Sequence, residues 1–329
     1  MTFPALAALT LQGQINPDVG VPLPPRWGWY VVLYFFIGGL IAGCYAIACT
    51  LDAMGDPRDR EAVRLGYSIA FPGVLICAAL LIVDLGRPER FWHMVIKSHY
   101  FPEPILKYWS PISIGSWVLF VFGAFAFISF MSVLIERGKI RWRPVVHLAD
   151  RLRRLPHAAF VTWSILGAFF ALFVGGYTGV LMVATVKPVW HNAVPLGGLF
   201  LASALSGSYA LLILLLARRG RGHTDPTVAK LEGADRWALA VEGVLLLLVL
   251  VPLGALARPI VAGGFGALFW VGVVLTGLLL PVALDLWTRR GKGQQHPMLR
   301  AALILVGGLV LRFVMIMAPQ WPEVRPWHL

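Results

Sequence analysis

The segment Val83-Asp84-Leu85-Gly86-Arg87-Pro88-Glu89-Arg90-Phe91-Trp92 closes an apolar run that begins at Leu65. A helix of ~20 residues crosses a hydrocarbon core of ~30 Å. The run from Leu65 is long enough for that, so the segment marks where a membrane-crossing helix meets water. Gly86 and Pro88 are stop signals, and they leave Asp84 in the last helical turn, where the helix dipole disfavours negative charge. Arg87 and Arg90 can offset it as solvated partners; a carboxylate with a function of its own is the other reading. Further on, Ser110-Pro111-Ile112-Ser113-Ile114-Gly115-Ser116-Trp117 opens the next apolar run. Ser110 suits an N-cap and Pro111 the first helical position, while Ser113, Gly115 and Ser116 let a neighbouring helix approach.

Working outward, eight runs have spanning length: roughly 28–51, 65–84, 111–135, 159–185, 194–217, 237–256, 264–286 and 298–318. Backbone polar groups in lipid must be satisfied within the segment, so each is a helix and the fold is an all-α integral membrane protein. Composition agrees, with 58% hydrophobic and 13% charged residues and a mean hydropathy of +0.76. A soluble fold of this length could not hide so much apolar surface. The net charge of +12 does not indicate nucleic acid, because the basic residues gather in short loops between apolar runs. The loops after runs one, three, five and seven hold most of them, which predicts that these loops are cytoplasmic and that both termini are periplasmic. The expected organisation is an N-terminal arm at 1–26, four-helix bundles at 27–190 and 191–318, and a tail at 319–329. The arm lacks the basic n-region and compact apolar core of a cleaved signal peptide.

Cys44, Cys49 and Cys77 all fall inside apolar runs without metal-ligand spacing, and no histidine is deep in a run. The protein is therefore expected to hold no iron-sulfur cluster, haem or other metal of its own. Arg141-Trp142-Arg143-Pro144 through Arg151-Leu152-Arg153-Arg154 reads as a short amphipathic helix on the lipid headgroups. The segment 91–109 mixes aromatics with Lys97 and Lys107, which suits an interface belt or a docking surface.

Asp-Leu-Gly-Arg-Pro at 84–88, Ser-Pro-x-Ser-x-Gly-Ser-Trp at 110–117 and Gly176-Tyr177-Thr178-Gly179-Val180-Leu181 occur in order. Together they resemble the membrane subunits of the NrfD-like, polysulfide-reductase type. The likeness is close from about Trp27 to Trp190 and rests on helix count beyond. The resemblance implies a haem-free anchor that binds menaquinone or ubiquinone in the bacterial cytoplasmic membrane, as a subunit of a quinol-dependent oxidoreductase complex. It implies a ferredoxin-like iron-sulfur partner subunit and a molybdopterin catalytic subunit beyond it. By the same resemblance, Tyr177 hydrogen-bonds a quinone carbonyl, Asp84 exchanges a proton, and Arg87 holds Asp84 ionised or closes the pocket. Tyr34 stands at the level of helix one where the family carries polar quinone-binding side chains, just before Gly38-Gly39 and Gly43. By depth, Tyr34, Asp84 and Tyr177 all lie toward the same membrane face.

Glu242, Asp285 and Arg312 lie within or near the last three runs. Charge at the bilayer centre costs ~2.5–3.5 kcal/mol by insertion scales, so these side chains should face the bundle interior. They read either as a packing clamp or as a proton path from the cytoplasm, with Glu242 expected a turn and a half inside its helix as the relay. Competing classes are a secondary transporter or proton-conducting protein and a purely structural anchor. A transporter would carry matching helix breaks in both halves; Pro72-Gly73 and Pro281 are not in corresponding positions.

Overall fold

The computed structural model describes residues 26–96, 103–139, 151, 156–222, 224–289 and 297–321. Among these residues, eight helices are long and apolar enough to cross a membrane. They are α1 (Trp29–Met54), α2 (Arg60–Asp84), α3 (Pro111–Glu136), α4 (His157–Val183), α5 (Leu196–Arg218), α6 (Pro226–Leu253), α7 (Gly263–Thr288) and α8 (Pro297–Met317). Among the described residues the only strand-like pairing is an isolated bridge between Ile96 and Pro104.

Local chemistry sets the helix ends. Ser110 caps α3 by accepting from the Ser113 amide at 3.5 Å, with Pro111 in the first turn. Gly86 follows α2 at φ +71°, a left-handed conformation that side chains disfavour. α6 begins eleven residues before the expected 237, because Asp225 accepts from the Thr227 amide at 2.9 Å and Pro226 starts the helix. Its charged first turns read as loop by hydropathy, yet capping and ion pairs keep them helical. The expected amphipathic helix at 141–154 falls almost entirely outside the described residues, as do the arm up to residue 25 and the tail from 322.

α1 is the most enclosed helix, touching α2, α4, α5 and α8. Its small residues permit this: Gly39 lies against Ala204 of α5, and Gly43 against Ser208. Helices α1 to α4 pack in a ring, α5 contacts α6 and α8, and α7 lies on α8. α7 is π-helical over Phe269–Leu279, where Gly277 meets Gly307 of α8 backbone to backbone.

Both ends of the molecule are tied across its two halves. At the end bearing the basic loops, Asp59 is fully buried and accepts from Thr227 at 2.7 Å and Lys230 at 2.9 Å. Beside it, Arg60 bridges Asp52 and Glu136 at 2.9 and 2.7 Å, Arg64 reaches Glu136 at 2.6 Å, and Glu61 pairs with Arg219. At the opposite end the Trp27 amide donates to Gln320 at 2.8 Å, and the Trp27 ring stacks on Trp190, whose indole donates to the Met315 carbonyl at 2.8 Å.

Candidate functional site

At the end bearing the sequence motifs, α1, α2 and α4 bring three polar side chains together. Tyr34 is 4% exposed. One turn further along α1, Gly38 leaves open a position where an added Cβ would lie 3.7 Å from both the Tyr34 ring and the Cys77 sulfur. Tyr34 is also within electrostatic reach of Tyr177. Tyr177 is 8% exposed and donates to the Pro111 carbonyl at 2.5 Å. Its ring stacks on Phe173, 6.0 Å between centroids and 16° between planes, and Phe173 opens onto the lipid-facing surface. By contrast, the Tyr34 hydroxyl has no hydrogen-bond partner among the described residues.

Tyr34 and Tyr177 are thus brought together, as their matching depths require. Cys77 and Phe173 flank the two tyrosines and were not singled out from sequence, while Gly115 packs directly against the Tyr177 ring. Cys77 precedes Asp84 by seven residues, the spacing of one helix face, which was the available signal. Asp84 itself ends α2 two turns beyond Cys77 and is exposed, as is Arg87. Neither side chain forms an ion pair or hydrogen bond among the described residues, so the expected pairing of Asp84 with Arg87 or Arg90 is not made. The physical reason lies in the backbone: the left-handed turn at Gly86 falls between Asp84 and Arg87, and Arg90 is carried in the 3-10 helix Pro88–Met94 beyond it.

Around this end runs an aromatic collar in which Tyr108 is 76% and Trp109 68% exposed, together with Phe91 and Leu106. It is held on α3 by the Trp117 indole donating to Ile105 O at 2.7 Å and the Lys107 amide donating to Ser113 at 3.1 Å.

The buried charges form a second centre. Arg312 donates to the Phe200 carbonyl at 2.8 Å, the Gly308 carbonyl at 3.2 Å and the Ser203 hydroxyl, and lies 5.0 Å over the Phe200 ring. Ser206 donates to Glu242 at 3.1 Å and Ser203 is also within its reach, so Glu242 and Arg312 meet through serines of α5. Because α6 starts at Pro226, Glu242 lies ~24 Å along its helix rather than a turn and a half inside. Asp285 faces Arg236 at 3.6 Å. Ser203, Ser206 and the buried pair Asp235–Arg300 were missed from sequence, since serines in apolar helices read as packing and Arg300 as a loop cation. Among the described residues no group of three potential metal ligands gathers.

Eight helices of spanning length among the described residues, with tyrosines gathered at the motif end and charges buried between helices, define a multi-pass membrane protein. Residues 21–322 match the family described as Polysulphide reductase, NrfD, and the protein belongs to that family. It is similar to the C component of polysulfide reductase from Wolinella succinogenes, 30% identical over 314 residues that cover 89% of this sequence and 94% of that protein. It is 27% identical to protein NrfD of Escherichia coli, over 89% of this sequence and 95% of the relative. The C component of selenate reductase from Mesobacillus selenatarsenatis is 25% identical over 88% of this sequence and 73% of that protein.

Proposed function

We propose that this protein is the quinone-exchanging membrane subunit of an iron-sulfur oxidoreductase complex in the bacterial cytoplasmic membrane. It passes electrons between menaquinone or ubiquinone and a ferredoxin-like partner on the periplasmic side, with a molybdopterin subunit beyond that partner. The observation that carries this reading is the Tyr34 hydroxyl, unpartnered on a buried side chain beside Cys77 and Tyr177. A hydroxyl that no protein group engages is free to donate to a ligand, and a quinone carbonyl is an acceptor of the right kind. The grouping suits a flat quinone head: two tyrosine rings and a thiol beside the small residue Gly38, with the partly exposed Phe173 on the Tyr177 side.

When bound, a quinone supplies two-electron, two-proton chemistry. Tyr34 donates a hydrogen bond to one of its carbonyl oxygens. Tyr177, whose proton is engaged by Pro111, offers its oxygen to a quinol hydroxyl or turns its proton to a carbonyl. Asp84 stands at the exposed end of α2, ~10 Å along the helix from Cys77, so it exchanges protons with the pocket through solvent, and Arg87 adds a positive charge at the mouth. Electrons leave through the partner, for which the collar around Tyr108 and Trp109 provides a docking face.

The test is quinone affinity and turnover in the assembled complex. Tyr34→Phe and Tyr177→Phe each remove one hydroxyl and should weaken binding by ~0.5–1.5 kcal/mol, about two- to tenfold. Asp84→Asn should spare binding and slow turnover. Wild-type affinity in both tyrosine variants would overturn the site.

A companion reading concerns the second centre: Glu242, Asp285 and Arg312 serve a proton path from the cytoplasmic side, with Glu242 as relay. The serine-bridged approach of Glu242 to Arg312 favours it over a clamp alone, because hydroxyls both accept and donate protons. Glu242→Gln should then lose membrane-potential generation in proteoliposomes at preserved quinol oxidation. A secondary transporter is disfavoured by the continuity of α2 through Pro72 and by the π stretch of α7 having no counterpart in the regular helix α3.

A further inference from the structure

A third set of ionisable groups sits at the basic-loop end of α6, apart from the tyrosine pocket. Asp235 is 0% exposed and accepts from the Arg300 guanidinium at 2.5 Å. Its second carboxylate oxygen, Oδ1, is buried without a partner, and so is Arg300 Nε. A buried ion pair stabilises a fold only when its remaining lone pairs and protons are also satisfied. This pair leaves one of each open, which is a poor clamp. An open carboxylate oxygen is, however, what a proton acceptor requires.

Two rows of side chains lead inward from it. On α6, Glu242 follows Asp235 by seven residues, which puts both on one face about 10 Å apart. Leu239 lies between them on that face and is buried, so the carboxyls do not meet directly. On α5, Ser203, Ser206 and Tyr209 recur at intervals of three and form the adjoining row. Tyr209 is within electrostatic reach of Asp235, Ser206 donates to Glu242 at 3.1 Å, and Ser203 links Glu242 to Arg312. Asp235 is thus faced by Arg300 from α8, Tyr209 from α5, Asp285 from α7, and Glu232 and Glu242 from its own helix.

We propose that Asp235 is the port through which protons from the basic-loop side enter the Glu242 route, with Arg300 as its positioning residue and Tyr209 and Ser206 as carriers. A proton lands on Asp235 Oδ1. Each hydroxyl then accepts a proton on its oxygen and releases its own to the next group, so no carrier changes net composition. This assignment rests on the reading of Glu242 as a relay.

The experiment uses the complete complex in proteoliposomes, driven by a short-chain quinol, with proton uptake followed by an entrapped dye. In parallel, carboxyl labelling by dicyclohexylcarbodiimide is mapped by mass spectrometry. The port predicts labelling of Asp235 in the wild type, about a hundredfold slower uptake in Asp235→Asn, and recovery in Asp235→Glu. Tyr209→Phe keeps the ring and removes only the hydroxyl, and should slow uptake about tenfold without loss of assembly. Wild-type uptake in Asp235→Asn and Tyr209→Phe, with Glu242→Gln blocked, would overturn the port and leave the relay standing. Wild-type uptake in all three would overturn both. If Asp235→Asn does not assemble, Tyr209→Phe and the labelling pattern decide: normal uptake with Asp235 unlabelled overturns the port.

Discussion

The Tyr177 hydroxyl donates to the Pro111 carbonyl at 2.5 Å, so the tyrosine motif of α4 is fastened to the Ser-Pro motif that opens α3. Gly115, one turn into α3, makes this possible, because a Cβ there would fall within the Tyr177 ring.

Gly115→Ala should therefore displace the ring and break the bond, destabilising the fold by ~1–3 kcal/mol as overpacking does. Lower thermal stability together with weaker quinone binding is the expected result. A variant unchanged in both would show that α3 and α4 separate freely, against the close packing described.

Asp59, Thr227 and Lys230 join α2 to α6 at the basic-loop end. Asp59→Ala leaves the Thr227 hydroxyl with the Arg58 carbonyl and the exposed Lys230 ammonium with Asp56, so the loss is that of the buried Thr227–Asp59 hydrogen bond, ~1.5–3 kcal/mol for a bond to a charged group. The neighbouring Asp56 is held below the usual carboxylate range by its hydrogen bond from Lys230, at 2.7 Å. Its contribution is complete above the ordinary value of ~3.9 and is lost as pH falls through the lowered folded value. Thermal unfolding followed from neutral pH into acid should show this loss, and Lys230→Met should flatten it.

At Gly307 the backbone of α8 meets that of α7: an added Cβ at Gly277 would lie 2.9 Å from the Gly307 Cα. Gly307→Val has no space to enter without separating the helices. The expected outcome is a loss of at least ~1–3 kcal/mol, read as a lower midpoint of thermal unfolding, whereas Gly243→Ala, inside α6 with open space around it, should cost nothing and gain up to ~0.5–1 kcal/mol from helix propensity.

Arg312 and Glu242 test charge balance in the interior. Arg312→Met alone leaves the carboxylate of Glu242 without its nearby cation and should destabilise by ~3–5 kcal/mol. Adding Glu242→Gln should recover much of the loss, a coupling that a double-mutant cycle in thermal stability measures.

How much of this was legible beforehand follows from what hydropathy can sense. It registers apolar length, so all eight spans were readable, as were the stop at Gly86 and the cap at Ser110. It does not register helix continuing beyond lipid, which is why the first eleven residues of α6 read as loop and Glu242 was placed too near a helix end. Depth follows from residue number, so Tyr34 and Tyr177 could be matched. Azimuth does not, and Cys77 and Phe173 entered the pocket only once helix rotations were known. Opposite charges adjacent in sequence, Asp84 and Arg87, read as partners, but the turn at Gly86 separates what spacing alone would pair. Charges at run ends were read as loop cations, which concealed the buried Arg300–Asp235 contact.

A quinone head seated between Tyr34, Cys77 and Tyr177 is within reach of photolabelling. An azido-quinone irradiated with the assembled complex, followed by peptide mapping, should mark the peptides of α1, α2 and α4 that carry these residues. Excess unlabelled quinone should abolish that labelling, and Tyr34→Phe should weaken it. Labelling that quinone displaces only from peptides of α5 to α8 would place the head elsewhere and rule this site out.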